Sequence, residues 1–355
     1  MSRLDDLLTE LESLNVDFFL ITDPLNVQYL LGDPLLFDSN FNGAILFSKN
    51  VQVLMTDFRY FELASSAGLD IEIRNIEKSI VSEVVKISQK GIVAIEADHL
   101  TVNGFTRLQR ALGERVEPKS GFVESLRMIK DESEIEKLKE AAQIGDRVFE
   151  RIIEEIEIGV AEIEIAARLE ELLKEEGASK VSFEPIVASG PNSAIPHAGA
   201  TERTFESGDF VKLDFGCVNL GYCSDMTRTI VLGKASERQK EIYDLVRVAQ
   251  ASTLDGIKAG ISGKDADAMA RDVFIKKDMA EHFGHNLGHG VGLQVHEKPT
   301  LGKRSQEHLK AGQIFTVEPG LYFSGYGGVR IEDMVLLKED CMEVLTHSSK
   351  ELIEI

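Results

Sequence analysis

Basic charge is in short supply in this chain: 39 lysine and arginine residues stand against 60 aspartate and glutamate residues, for a formal net charge of −21. Such a field repels phosphate backbones and anionic membrane surfaces, so neither nucleic acid nor a membrane is expected as a partner. Long apolar runs are missing as well. Nothing approaches the ~18 consecutive apolar residues of a membrane-crossing helix. The start, Met1-Ser2-Arg3-Leu4-Asp5-Asp6, lacks the apolar core of a secretory signal. The expected location is therefore the cytoplasm. The three cysteines, Cys217, Cys223 and Cys341, cannot all pair within one chain and are not spaced as a zinc knuckle, which fits a reducing compartment. Tryptophan is absent, and together with abundant Glu and Lys this hints at a thermophilic source. No glycine-rich phosphate loop precedes a helix, which speaks against a phosphoesterase.

What is present suffices for two cores: 355 residues, 43% of them hydrophobic. The expected domains are 1–122 and 123–355. In the first, Leu4, Leu7, Leu8, Leu11 and Leu14 form a helical stripe. Alternating patterns predict strands over 17–22, 43–47, 51–56, 71–76 and 92–96, and helices over 59–67, 80–89 and 102–112. This reads as a small α/β layer with mixed strand directions. In the second, Ser133 and Glu136 fit a capping box that opens a long helix reaching to about residue 157. Further helices are expected over 161–176, 237–258 and 265–277. Helices alternating with long hairpins give an α+β fold class.

Two of those hairpins carry acidic residues where strands disfavour them. Asp214 lies in Phe210-Val211-Lys212-Leu213-Asp214-Phe215, Asp225 follows Tyr222-Cys223-Ser224, and glycines at 216 and 221 mark the turn region. A two-residue turn at Asn219-Leu220 puts Asp214 and Asp225 directly opposite, with Cβ atoms about 5 Å apart. Val211, Leu213, Phe215 and Cys217 then face a core, while Lys212 and Asp214 face the other way. Glu318 and Glu332 flank a second glycine-rich stretch in the same manner, and His289 sits among glycines. Two carboxylates so close repel each other unless a cation separates them. Four carboxylates balance two dications, and carboxylate oxygens with one imidazole suit Mn²⁺ or Co²⁺, with Zn²⁺ or Fe²⁺ as alternatives. Two such ions would activate a bridging water, which makes hydrolysis the expected chemistry. Cys223 shares the parity of Asp225, although a small buried filler is the plainer reading of it.

The segments Leu213-Asp214-Phe215-Gly216, Ser224-Asp225-Met226-Thr227-Arg228, Gly288-His289-Gly290-Val291-Gly292, Thr316-Val317-Glu318-Pro319-Gly320 and Val329-Arg330-Ile331-Glu332-Asp333 resemble the five ligand motifs of the creatinase, aminopeptidase P and prolidase family. The resemblance implies a C-terminal pita-bread domain preceded by a smaller creatinase-like α/β domain. It implies Asp214, Asp225, His289, Glu318 and Glu332 as ligands, with Asp225 and Glu332 bridging. It also implies that His197 contacts substrate, that His296 donates to the reacting carbonyl oxygen, and that Glu318 shuttles the proton. By the same resemblance His285 lies near the substrate, and Arg330, which shares strand parity with Glu332, is expected to orient the carboxylates.

The implied reaction is metal-dependent hydrolysis of the bond before proline, by a homodimer whose partner substrate is a peptide or dipeptide with proline second. Several prolidase-type relatives place a basic residue after the His-Glu-x-Pro run, where this chain has Thr300. That departure favours an Xaa-Pro aminopeptidase, with Xaa-Pro dipeptidase as the alternative and a non-catalytic peptide-binding protein as the alternative of another class. Asp38, Ser39 and Asn40 are the residues expected to close the rim of a partner subunit's site.

Overall fold

The computed structural model describes residues 3–38 and 40–355. It divides into two units, Met1–Arg127 and Met128–Ile355. Among the described residues no helix is long and apolar enough to cross a membrane.

The first unit is built on one six-stranded sheet, in the order Glu72–Asn75, Val51–Thr56, Gly43–Ser48, Phe18–Ile21, Val93–Glu96, Val116–Lys119. The two central pairings are antiparallel and the outer ones parallel, so strand direction is mixed. Leu20, Leu46, Val53 and Ile95 form its core against the helices Ile80–Ser88 and Val102–Leu112. Several elements were not expected, among them an edge strand and a helix. The edge strand Val116–Lys119 contains Pro118, which lowers any strand reading but is tolerated at an edge. The helix Pro24–Leu31 starts on an Asp23 cap that accepts from Leu25 N, with proline in its first turn. In the expected rim, Asp38 accepts from Tyr60 Oη at 2.6 Å and from Asn40 N at 2.8 Å, while Ser39 lies outside the described residues.

The second unit packs four helices, Glu132–Ile152, Glu162–Glu175, Glu237–Gly256 and Gly263–Ile275, against curved antiparallel hairpins. The capping box of the first helix sits earlier than expected. Asp131 accepts from Glu134 N, and Glu134 reaches back to Asp131 N, because the Asp carboxylate outcompetes Ser133 as an acceptor one turn from the free N–H groups. One apolar core, with Val148, Leu169, Leu213 and Ile230, lies under the first two helices. A second, with Val246, Ala270, Phe315 and Val335, lies under the other two.

Between these cores run two interrupted hairpins. The first pairs Phe210–Phe215 with Met226–Val231 and continues as Cys217–Asn219 with Tyr222–Cys223. The second pairs Ile314–Val317 with Asp333–Leu337 and continues as Gly320–Phe323 with Gly327–Arg330. Each keeps a single register through its interruption, and Asp225, Glu318 and Glu332 lie at the interruptions, with Asp214 in the strand just before the first. At the first, a side chain on Gly216 would overlap the Ser224 carbonyl, so only glycine lets the strands stay together where Asp225 bends away.

Candidate metal centre

The two aspartates share a face, but they are not directly opposite. Asp214 faces Thr227, and the turn falls at Leu220-Gly221, not at Asn219-Leu220. Both turn residues have positive φ, 47° at Leu220 and 85° at Gly221, the backbone of a type I′ hairpin turn. This moves the register by two, preserves parity and makes Asp225 a diagonal neighbour of Asp214. Glu318 and Glu332 immediately follow and precede the paired residues Val317 and Asp333, so their hairpin brings them together as expected.

Asp225, His289 and Glu332 each offer a ligand atom within 4.8 Å of the others. His289 Nε2 is 3.6 Å from Asp225 Oδ2 and 3.4 Å from Glu318 Oε1. Asp214 is drawn to the same cluster by its ion pair with Arg330, in which both side chains are buried. All five expected ligands therefore converge. Thr227 Oγ1 donates to Glu332 Oε2 at 2.6 Å and accepts from Arg330 Nε at 2.9 Å. Thr316 Oγ1 donates to Glu318 Oε1 at 3.1 Å and accepts from His289 N at 3.1 Å. These two threonines and Tyr322 were not singled out from sequence, although both threonines lie inside the ligand motifs.

The electrostatics are those of a site short of positive charge. Burial first, then the neighbouring carboxylates, holds Asp225 and Glu332 well above the ordinary carboxyl range. Burial, opposed by Arg330, pushes Glu318 up to about 7. Asp225 Oδ1 is buried with no hydrogen-bond partner among the described residues. An orphaned carboxylate oxygen at the centre of four acids is what a cation would satisfy, and the donor set of hard oxygens with one imidazole fits divalent ions.

The remaining expected residues surround this cluster. The rings of His296 and His289 are 4.2 Å apart, and burial with the His289 charge lowers the pKa of His296. His285 Nε2 is 2.9 Å from Tyr322 Oη, its Nδ1 is 4.0 Å from Glu318 Oε2, and burial drives its pKa down to about 3. His197 is exposed, close enough to both His285 and His296 for their charges to interact. Arg330 also donates to Tyr322 Oη at 2.9 Å and to Pro196 O at 3.1 Å. Cys223 is buried, its thiol pushed up to about 12 by desolvation, so it acts as an inert filler.

The model for metallopeptidase family M24 matches residues 136–339, and that for the creatinase/prolidase N-terminal domain matches residues 3–129. A solved Xaa-Pro dipeptidase from Bacillus anthracis is 43% identical, with a TM-score of 0.95 and 99% of each chain covered. A solved X-Pro aminopeptidase from Thermotoga maritima is 37% identical, with a TM-score of 0.88, covering 99% of this chain and 100% of the other. The Xaa-Pro dipeptidase of Pyrococcus horikoshii is 36% identical, covering 96% of this chain and 95% of that protein.

Proposed function

The chain belongs to metallopeptidase family M24, and on that footing we propose that it hydrolyses the peptide bond of Xaa-Pro dipeptides. The observation that carries this reading is the buried convergence of Asp214, Asp225, His289, Glu318 and Glu332 around an unsatisfied Asp225 oxygen. Divalent ions bound by these side chains acidify water and polarise a peptide carbonyl.

The chain's own groups complete the reaction. Glu318, beside the place where the water would be held, takes a proton from it and passes it to the departing prolyl nitrogen. A neutral His296 donates its N–H to the carbonyl oxygen as negative charge develops there. His197 orients the substrate from the loop above. Arg330 fixes Asp214 directly and Glu332 through Thr227, so two carboxylates keep their aim as charge is redistributed.

The dipeptide preference reverses the expectation drawn from Thr300. Thr300 pairs directly with His289 across the strands Gly288–Gly290 and Glu297–Leu301. It lines a cavity of about 620 Å³ together with Asn286, Lys303 and Arg304. Among the described residues neither Lys303 nor Arg304 has an ion-pair partner, whereas Lys298 is held by Glu307 at 2.6 Å. Two cations without ion-pair partners, lining the same cavity as the cross-strand neighbour of His289, suit a substrate that ends in a carboxylate. Likeness to two proteins named Xaa-Pro dipeptidase supports the same choice. The second reading, an Xaa-Pro aminopeptidase, is favoured by the uncharged Thr300 and by the Thermotoga likeness.

Release of the free N-terminal residue from an Xaa-Pro dipeptide and from an Xaa-Pro-Xaa tripeptide decides between them, measured with metal content before and after chelation. The expected result is turnover of the dipeptide only, lost on chelation and restored by Mn²⁺ or Co²⁺. Comparable turnover of the tripeptide replaces the dipeptidase reading by the aminopeptidase one. Inactivity towards both, in protein carrying metal, removes proline-directed hydrolysis.

A further inference from the structure

The segment 189–201, which bears His197, has almost no regular structure of its own beyond the short 3₁₀ turn Gly190–Ala194. Its two ends nevertheless meet on a single side chain. Glu162, the first residue of the helix Glu162–Glu175, is completely buried. Its Oε1 accepts from Ser189 N at 2.7 Å and Ser189 Oγ at 2.7 Å. Its Oε2 accepts from Thr201 N at 3.1 Å and Thr201 Oγ1 at 2.6 Å. Asn192 Nδ2 lies between the two oxygens, at 3.2 and 3.1 Å. Every partner is a donor, so only an ionised carboxylate satisfies all of them.

The middle of the segment is held separately. Lys212 Nζ donates to Ile195 O at 2.7 Å and Pro196 O at 3.1 Å, and Arg330 donates to the same Pro196 carbonyl. Ser193 Oγ accepts from Gly328 N at 2.9 Å. A side chain at Gly328 would collide with the Ser193 carbonyl, so glycine permits this close approach. His197 follows directly on the carbonyls held by Lys212 and Arg330, between the two ends gathered by Glu162.

We propose that Glu162 is a positioning residue that acts through His197: it ties residues 189 and 201 together so that the histidine reaches substrate from a preformed loop. The inference rests on the role given to His197 above. A loop closed at both ends loses its conformational entropy before substrate arrives, and affinity gains accordingly. Lys212 secures the carbonyls next to the histidine, and Glu162 sets the span over which they can move.

The test compares Glu162→Gln with wild type, His197→Ala and the double variant, all loaded with metal. Glutamine keeps the shape but turns an NH₂ group towards donors. The expected result is unchanged metal content, faster amide exchange confined to residues 190–201, and a fall in kcat/KM on the order of 10- to 100-fold, carried mainly by KM. In the His197→Ala background Glu162→Gln adds little further loss. Losses that multiply in the double variant, or exchange that matches wild type, overturn the proposal. If Glu162→Gln fails to fold, Thr201→Val, which removes one tether, is read by the same two measurements. Amide exchange reports on the tether even where wild type cleaves no Xaa-Pro substrate, so failure of this inference is distinguishable from failure of the proposed function.

Discussion

The guanidinium of Arg330 lies against the carboxylate of Asp214, both buried and brought together from different hairpins. Apart from Arg330, the charges acting on Asp225 and Glu332 are carboxylates, so this one side chain offsets much of their mutual repulsion. Four hydrogen bonds run from it, one each to Asp214, Thr227, Tyr322 and Pro196. Arg330→Lys retains the charge but cannot form that fork. The expected outcome is a loss of roughly 10- to 100-fold in metal affinity or activity for Arg330→Lys and a larger one for Arg330→Met, read by metal titration calorimetry and kcat/KM.

Metal uptake is expected to release protons. Burial and neighbouring acids hold Asp225 and Glu332 well above their usual range, and Glu318 at about 7. At pH 6 Glu318 is therefore largely protonated in the metal-free protein, and an arriving cation must displace that proton. Apparent affinity for Mn²⁺ then weakens as pH falls below about 7. Calorimetry in two buffers of different ionisation enthalpy counts the protons, and a count of zero at pH 6 contradicts the expectation.

Arg304→Met separates charge recognition from catalysis. If the cavity beside Thr300 receives the substrate's carboxylate, KM for an Xaa-Pro dipeptide rises about tenfold or more, the loss of one charge-assisted contact. Hydrolysis of the corresponding Xaa-Pro amide stays unchanged. Equal effects on acid and amide assign Arg304 no part in specificity.

Asp333 stands beside a ligand and does other work. Burial raises its pKa, but Arg228 and Lys350 more than offset this and hold it below the ordinary value. It accepts from Arg228 at 2.7 Å, Thr346 at 2.8 Å, Gln250 at 2.7 Å and Lys350 at 2.6 Å. Asp333→Ala strands a buried guanidinium, and breaking such a pair costs about 3–5 kcal/mol. Urea unfolding of the metal-free protein is expected to show that loss.

The convergence of the expected ligands was legible in the sequence because acids are conspicuous in strands and parity survives errors of register. Asp214 and Asp225 fall on one face whether the turn is placed at Asn219-Leu220 or at Leu220-Gly221. The actual turn was not legible, because it puts Leu220, not Asn219, at positive φ, which local preference disfavours. Lys212 read correctly as sharing the side of Asp214, yet its complete burial depends on loop carbonyls folding back over it. Glu162 looked like an ordinary acidic residue in a helix's first turn, and its partners lie 27 to 39 positions away along the chain. The proposed dipeptide preference was not the expectation from sequence, because Thr300 alone was weighed there and Lys303 and Arg304, which line the same cavity, were not.

The interruptions in the two hairpins leave backbone amides that turn to the opposite half of the unit. Asp225 N reaches Met334 Sδ at 3.2 Å, and Glu332 N reaches Thr227 O at 3.1 Å. Each half thus lends side chains to the proposed metal centre and completes its neighbour's hydrogen bonding. An ion held by these side chains would act as a rivet through that seam, so chelation is expected to loosen the joint between the halves as well as to silence the chemistry.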